Sequence, residues 1–196
     1  MLNYEYSAFL IQHSTFYNMF KNPFQVAITF AVVSLIVKVS VFSMEMQHGA
    51  MEKYIWYVYM LMLLFSVFFG IRSNKIVYEG NTTLGQDFRT GARTASIYAL
   101  LMTVITYLYY SKIDPEFFAI KQQPYLDALY ETAKTKMDVE TRAQILERLS
   151  ENIYAIRLQL SPYFHSMLTM FGLVFIGLFQ SIVFALLMKK YPGFKK

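Results

Sequence analysis

Four stretches of the chain are apolar all round a helical wheel rather than along one stripe. Residues 24–44 (FQVAITFAVVSLIVKVSVFSM) carry one charge, Lys38. Residues 54–71 (YIWYVYMLMLLFSVFFGI) and 94–110 (TASIYALLMTVITYLYY) carry none. In residues 163–188 (YFHSMLTMFGLVFIGLFQSIVFALLM) only His165 is titratable apart from tyrosine. A hydrocarbon layer of roughly 30 Å needs about 20 helical residues, and 17–25 is workable. The third stretch reaches that length with Gly91 and Ala92 added. Buried helices of a soluble bundle would each keep a polar stripe. In lipid only helices or closed barrels satisfy the backbone. The pattern therefore predicts an all-α membrane protein with four transmembrane helices.

Between the third and fourth stretches, residues 111–162 are hydrophilic. Asp114-Pro115-Glu116 reads as a helix start, with a capping side chain, a proline in the first turn and a carboxylate by the positive dipole end. Pro124 predicts a bend, followed by a second helix from Tyr125 to about Lys136. Asp138 then caps a third helix, in which Leu146, Leu149, Ile153, Ile156 and Leu160 repeat at spacings of three and four. That short heptad seam predicts an extracytoplasmic helical hairpin between helices 3 and 4. The seam either packs on the hairpin partner or docks a protein partner or a second copy. Ser161-Pro162 either caps the fourth span or kinks a continuous helix. Residues 3–20 place aromatics at helical spacing, predicting a helix lying in the interface or packed on the end of the bundle. The organisation is thus residues 1–23 as an N-terminal interfacial segment, 24–110 as helices 1–3, 111–162 as the insert, and 163–196 as helix 4 with a basic tail.

Charge orients the spans. The side holding both termini and the 72–93 connection carries nine basic residues against three acidic ones. The other side carries eight basic against ten acidic. Lys and Arg near span ends mark the cytoplasmic side. Arg72, Lys75 and the tail's Lys189, Lys190, Lys195 and Lys196 place both termini in the cytoplasm. Tyr54, Trp56, Tyr57, Tyr107, Tyr109, Tyr110 and Tyr163 then form the outer aromatic belt.

Composition narrows the function classes. Hydrophobic residues make up 56% and charged ones 16%, too much apolar surface for a disordered chain. There is no cysteine, so disulfides, thiolate metal sites and cysteine nucleophiles are excluded. The net charge of +5 is distributed as membrane topology requires, and no nucleic-acid partner is expected. His13, His48 and His165 lack metal-ligand spacing. GxSxG, P-loop and GxGxxG motifs are missing, so no catalytic, cofactor-binding or metal-binding residue is assigned and no cofactor is expected. Small residues recur every four positions at Gly91, Ala95, Ala99 and Thr103 in the third span, and at Gly177, Ser181 and Ala185 in the fourth. Such stripes let helix backbones approach closely in lipid. The candidate intramembrane polar residues are Lys38, His165 and Gln180. Lys38 lies six residues from the outer end of its span, about 9 Å by helix rise, so its stem is expected to snorkel to the headgroups.

The stretch from Gly80 to Phe118 resembles the core of the domain-of-unknown-function family 4199, small membrane proteins found mainly in Bacteroidota. Its pattern is matched by Gly80, by Gly85, Gln86, Phe88 and Gly91 opening the third span, and by Asp114, Pro115 and Phe117 after it. Two earlier spans, an acidic helical insert and a last span ending in Lys189-Lys190 extend the resemblance over about residues 24–190. It implies a bacterial inner-membrane location and no assigned activity. Read locally, Thr83-x-x-Gln86 is a capping box. The leading reading is a non-enzymatic scaffold or accessory subunit, with membrane lipids and a protein partner or homo-oligomer as partners. Alternatives are a small transporter or channel lined by Lys38, His165 or Gln180 and, after that, a membrane enzyme acting on lipid-linked substrates.

Overall fold

A computed structural model describes residues 22–47, 51–135 and 142–190. Among them the regular structure is all helical: α1 (Pro23–Ser43), α2 (Glu52–Val77), α3 (Leu84–Leu108), a π-helical turn (Tyr109–Ile113), α4 (Glu116–Thr135), α5 (Arg142–Gln159) and α6 (Pro162–Lys190). The aromatic face in residues 3–20 and the Asp138 cap lie outside the described residues. Among the described residues three helices are long and apolar enough to cross a membrane, over Pro23–Ser43, Glu52–Val77 and Pro162–Lys189. The remaining long helix, α3, carries Asp87, Arg89 and Arg93 in its first turns, which shortens its apolar part.

The chain divides into two compact units: the part up to Leu101 together with the part from Phe171 onward, and Met102–Met170. In the first unit α1 and α2 pack along most of their lengths. The buried positions of α1 are Val26, Ala27, Ala31, Ser34 and Lys38, one stripe of the helix. Phe30 of α1 stacks on Phe65 and Phe69 of α2, with ring centroids 6.1 and 5.9 Å apart. On α6, Phe184 meets Phe68 of α2 edge-on at 5.5 Å, and Gly172 lies against Trp56. Thr94 of α3 sits against Gly70. The outward positions are large and apolar. Phe175 of α6 is 77% exposed, and Phe171, Phe179, Ile36, Leu61 and Leu100 are exposed with it. Burial of so little of the apolar side-chain set inside the protein fits helices whose remaining surface meets lipid.

The helix ends follow from local chemistry. Asn22 caps α1, accepting from Phe24 N–H at 3.0 Å, with Pro23 in the first turn. Both α1 and α2 close in Schellman motifs. In α1 the Met46 and Glu45 N–H groups donate to Val41 and Phe42 carbonyls; in α2 those of Gly80 and Glu79 donate to Lys75 and Ile76. Glu45 (φ 56°) and Glu79 (φ 50°) occupy the left-handed position where glycine is usual. The Thr83–Gln86 capping box forms as expected, with Thr83 N–H donating to Gln86 Oε1 at 2.9 Å and Gln86 N–H to Thr83 Oγ1 at 3.3 Å.

In the second unit, α3 ends in the π turn, where Asp114 N–H donates to the Tyr109 carbonyl at 2.9 Å. The expected bend at Pro124 does not split the segment: α4 runs unbroken through it. Proline removes one N–H and crowds the carbonyl four residues back, which kinks a helix without obliging it to stop. At the other end the chain does break. Leu160 and Ser161 leave the helix, and Ser161 Oγ accepts from Phe164 N–H at 3.2 Å, so Ser161-Pro162 starts α6 afresh.

Candidate functional site

A buried polar cluster, a buried ion pair and a close-packed seam stand out in the first unit. The cluster draws on α1, α2 and α3. Ser34 Oγ lies 2.8 Å from Tyr98 Oη, and the Tyr98 hydroxyl donates to the Tyr59 carbonyl at 3.2 Å. One turn along α1, Lys38 is 2% exposed with Nζ 5.7 Å from the centre of the Tyr59 ring. This corrects the snorkelling expectation. Lys38 falls on the same stripe as Ala31 and Ser34, which faces α2 and α3, so its stem and ammonium are enclosed by protein. A cation over a desolvated tyrosine face is favoured electrostatically by up to about 2 kcal/mol. Sequence reasoning missed Tyr59 and Tyr98, because a tyrosine inside an apolar run reads as bulk. The available signal was positional, since Ser34 and Lys38 share one face of α1.

The ion pair joins the end of α2 to the start of α3. Lys75 Nζ lies 2.6 Å from Asp87 Oδ2, with side chains 10% and 1% exposed, and donates to Thr82 Oγ1 at 2.9 Å. In the sequence Lys75 is one of the basic residues near a span end that set the orientation. The turn geometry instead folds it back onto the first turn of α3, where a carboxylate also complements the helix dipole.

The small-residue stripes meet each other. A Cβ on Gly177 would come within 2.5 Å of Ala95 Cβ, and one on Gly91 within 2.8 Å of Ser181 Oγ. Ser181 Oγ donates to the Gly177 carbonyl at 2.6 Å, which keeps its hydroxyl satisfied in the buried seam. Ala99 and Ala185 are buried as well, and Thr103 is half-buried in the second unit. Gly70, which the sequence reading passed over, makes the corresponding close approach on α2: a Cβ there would overlap Thr94.

The other nominated residues are placed separately. Gln180 is half-buried on α6, its Oε1 enclosed without a hydrogen-bond partner among the described residues. His165 belongs to the second unit, packed edge-on to Tyr110 and Phe118 at 5.2 and 5.6 Å. Phe117 and Tyr110 complete that aromatic cluster at 4.7 Å.

In the same unit α4 and α5 lie side by side, the start of one against the end of the other. Gln122 Nε2 donates to the Leu160 carbonyl at 2.7 Å, while Leu129, Thr132 and Ala133 share a small cavity with Ile145, Arg148, Leu149 and Asn152. Ile145, outside the expected seam, is buried beside it. Ile145 is buried and Leu146 is 57% exposed; Leu149, Ile153, Ile156 and Leu160 are half-buried. A helix advances 100° per residue, so Leu146 stands about 90° round from the row of Ile145, Leu149 and Asn152 that lines the cavity, at the edge of that face. Leu146, Tyr154 and Leu158 are left on the exposed side.

No group of three histidine, aspartate or glutamate side chains capable of holding a metal occurs among the described residues. The family model for the proteins of unknown function DUF4199 matches residues 24–190, and the chain belongs to that family. No curated protein and no solved structure matches.

Proposed function

We propose that this DUF4199 protein is a non-enzymatic, four-span scaffold or accessory subunit of a bacterial inner membrane, with Bacteroidota as its source. In this reading α3 is the fourth membrane helix, both termini are cytoplasmic, and α4 and α5 form an extracytoplasmic hairpin that meets a protein partner or a second copy. The observation that carries it is the α3–α6 seam. Gly91, Ala95, Gly177 and Ser181 bring two backbones together as lipid-embedded helices do, while the outer faces stay aromatic and aliphatic. Alternation of direction supports the span count. Phe30 pairs with Phe69 as Lys38 pairs with Tyr59, so α1 and α2 are antiparallel. Trp56 pairs with Gly172 as Phe68 does with Phe184, so α2 and α6 run parallel with α3 opposed to both. The docking face is the exposed side of α5, with Leu146, Tyr154 and Leu158, rather than the half-buried Leu149, Ile153 and Ile156.

The chain has no native cysteine, so single cysteines report cleanly. Lys134→Cys is expected to react with an impermeant maleimide in spheroplasts, and Lys196→Cys only after permeabilisation. The reverse pattern refutes the orientation. A photo-crosslinking residue at Tyr154 is expected to give a discrete adduct in native membranes, and its absence refutes the docking role.

A further inference from the structure

We propose that Arg89 and Arg93 form a binding site for the phosphate of an anionic phospholipid headgroup, on the outward side of α3. The proposal rests on the membrane-spanning reading above and adds a ligand to it. Three charged residues occupy the first three turns of α3. Asp87 is taken up internally by Lys75. Arg89 and Arg93 are both exposed. They lie four residues apart, on one face of the helix. Gly91, midway between them in sequence, is rotated about 200° from each and is pressed against Ser181. The guanidinium groups therefore leave α3 on the side away from α6. Among the described residues neither is ion-paired to a carboxylate.

Their depth is set by the neighbouring helices. Gly91 lies beside Ser181 and Ala95 beside Gly177, so the part of α6 level with Arg89 and Arg93 is the stretch around Phe179–Val183. There Phe179 is 65%, Ile182 49% and Val183 36% exposed. Further toward the same end, Leu186, Leu187 and Val77 are exposed too. Two arginines thus emerge at a level where the adjacent surface is aliphatic and aromatic. Arg93 lies nine residues into α3, about 13 Å from the helix start. A cation at that level is costly unless it reaches polar headgroups and an anion meets it. The long arginine stem allows that reach. The planar guanidinium matches phosphate oxygens in a bidentate fork, which an ammonium cannot do. Lys189, exposed at the end of α6, adds positive potential at the mouth of the same region. A headgroup phosphate at this boundary has the required charge, geometry and depth.

The test uses the full chain reconstituted in nanodiscs of phosphatidylglycerol and phosphatidylcholine, with retained lipids counted by native mass spectrometry after release into mild detergent. The wild type is expected to retain phosphatidylglycerol several-fold above its share of the bilayer. Arg89→Gln with Arg93→Gln should abolish that preference, Arg93→Gln alone should lower it, and Lys134→Gln on α4 should leave it intact. Retention in proportion to bilayer composition by the wild type, or an undiminished preference in the double variant, overturns the site. Displacement of the bound lipid by millimolar inorganic phosphate overturns the lipid assignment. Extraction of the wild type by an alkaline membrane wash would instead refute the spanning reading itself.

Discussion

Gly177→Ala is the smallest change that tests the α3–α6 seam, and two opposed effects fix its sign. In a helix interior alanine is favoured over glycine by roughly 1 kcal/mol, so an open site would be stabilised. At Gly177 the added methyl carbon would sit 2.5 Å from Ala95 Cβ and 3.4 Å from Leu63 Cδ1. Ordinary contact between carbons is about 3.5–4.0 Å, so α3 and α6 must separate by an ångström or more. Overpacking of this kind costs about 1–3 kcal/mol, and the separation also opens the Gly91–Ser181 contact one turn away. The expected net loss is up to about 2 kcal/mol. At roughly 2–4 °C per kcal/mol for a chain of this size, the melting temperature in detergent should fall by up to about 8 °C.

The seam also predicts its own rescue. Ala95→Gly removes the carbon that collides, and a Cβ at position 177 then lies 3.6 Å from the Cα of position 95, an ordinary contact. The double variant should therefore melt above Gly177→Ala, with a coupling energy of about 1 kcal/mol or more. Gly85→Ala, whose Cβ would meet nothing within 4 Å, should be neutral or stabilising. Melting of Gly177→Ala at or above the wild-type temperature would refute the close approach of α3 and α6.

Two further expectations concern the buried polar groups. Asp87→Asn leaves Lys75 enclosed without its counter-charge and should cost about 3–5 kcal/mol, whereas Lys75→Met with Asp87→Leu should recover most of it; equal melting of both variants would show that the pair carries no structural weight. Tyr98→Phe removes the hydroxyl joining Ser34 to the Tyr59 carbonyl, and because that carbonyl has further acceptance within its own helix the loss should stay at about 1–3 kcal/mol, read from the same melts.

The close-packed stripe and the buried polar groups differ in how far a single sequence can reveal them, and the reason is physical. Gly91, Ala95, Gly177 and Ser181 are small for one purpose, backbone approach, and their four-residue period states it without knowledge of the partner. The caps are similarly local. Thr83, Gln86, Ser161 and Pro162 act within one turn of chain, so their chemistry is written where it operates. Lys38 and Lys75 are different. Each looked like a charge in search of water, because the groups that enclose them come from elsewhere in the chain. Tyr59 is supplied by α2 across an antiparallel pair, and Asp87 by a helix that begins only after the 78–83 turn. The same dependence on a distant element governs the start of α5, where Ile145 is buried and Leu146 exposed. Leu146 and Ile145 are equally apolar, and only the position of Leu129 and Ala133 on α4 selects Ile145 for burial. Residues whose role depends on rotation about a helix axis are legible to within about one position. Those whose role depends on a distant counter-group become legible only when the fold delivers that group. Arg89 and Arg93 complete the contrast: the fold delivers no carboxylate to them among the described residues, and their proposed counter-charge is a lipid phosphate.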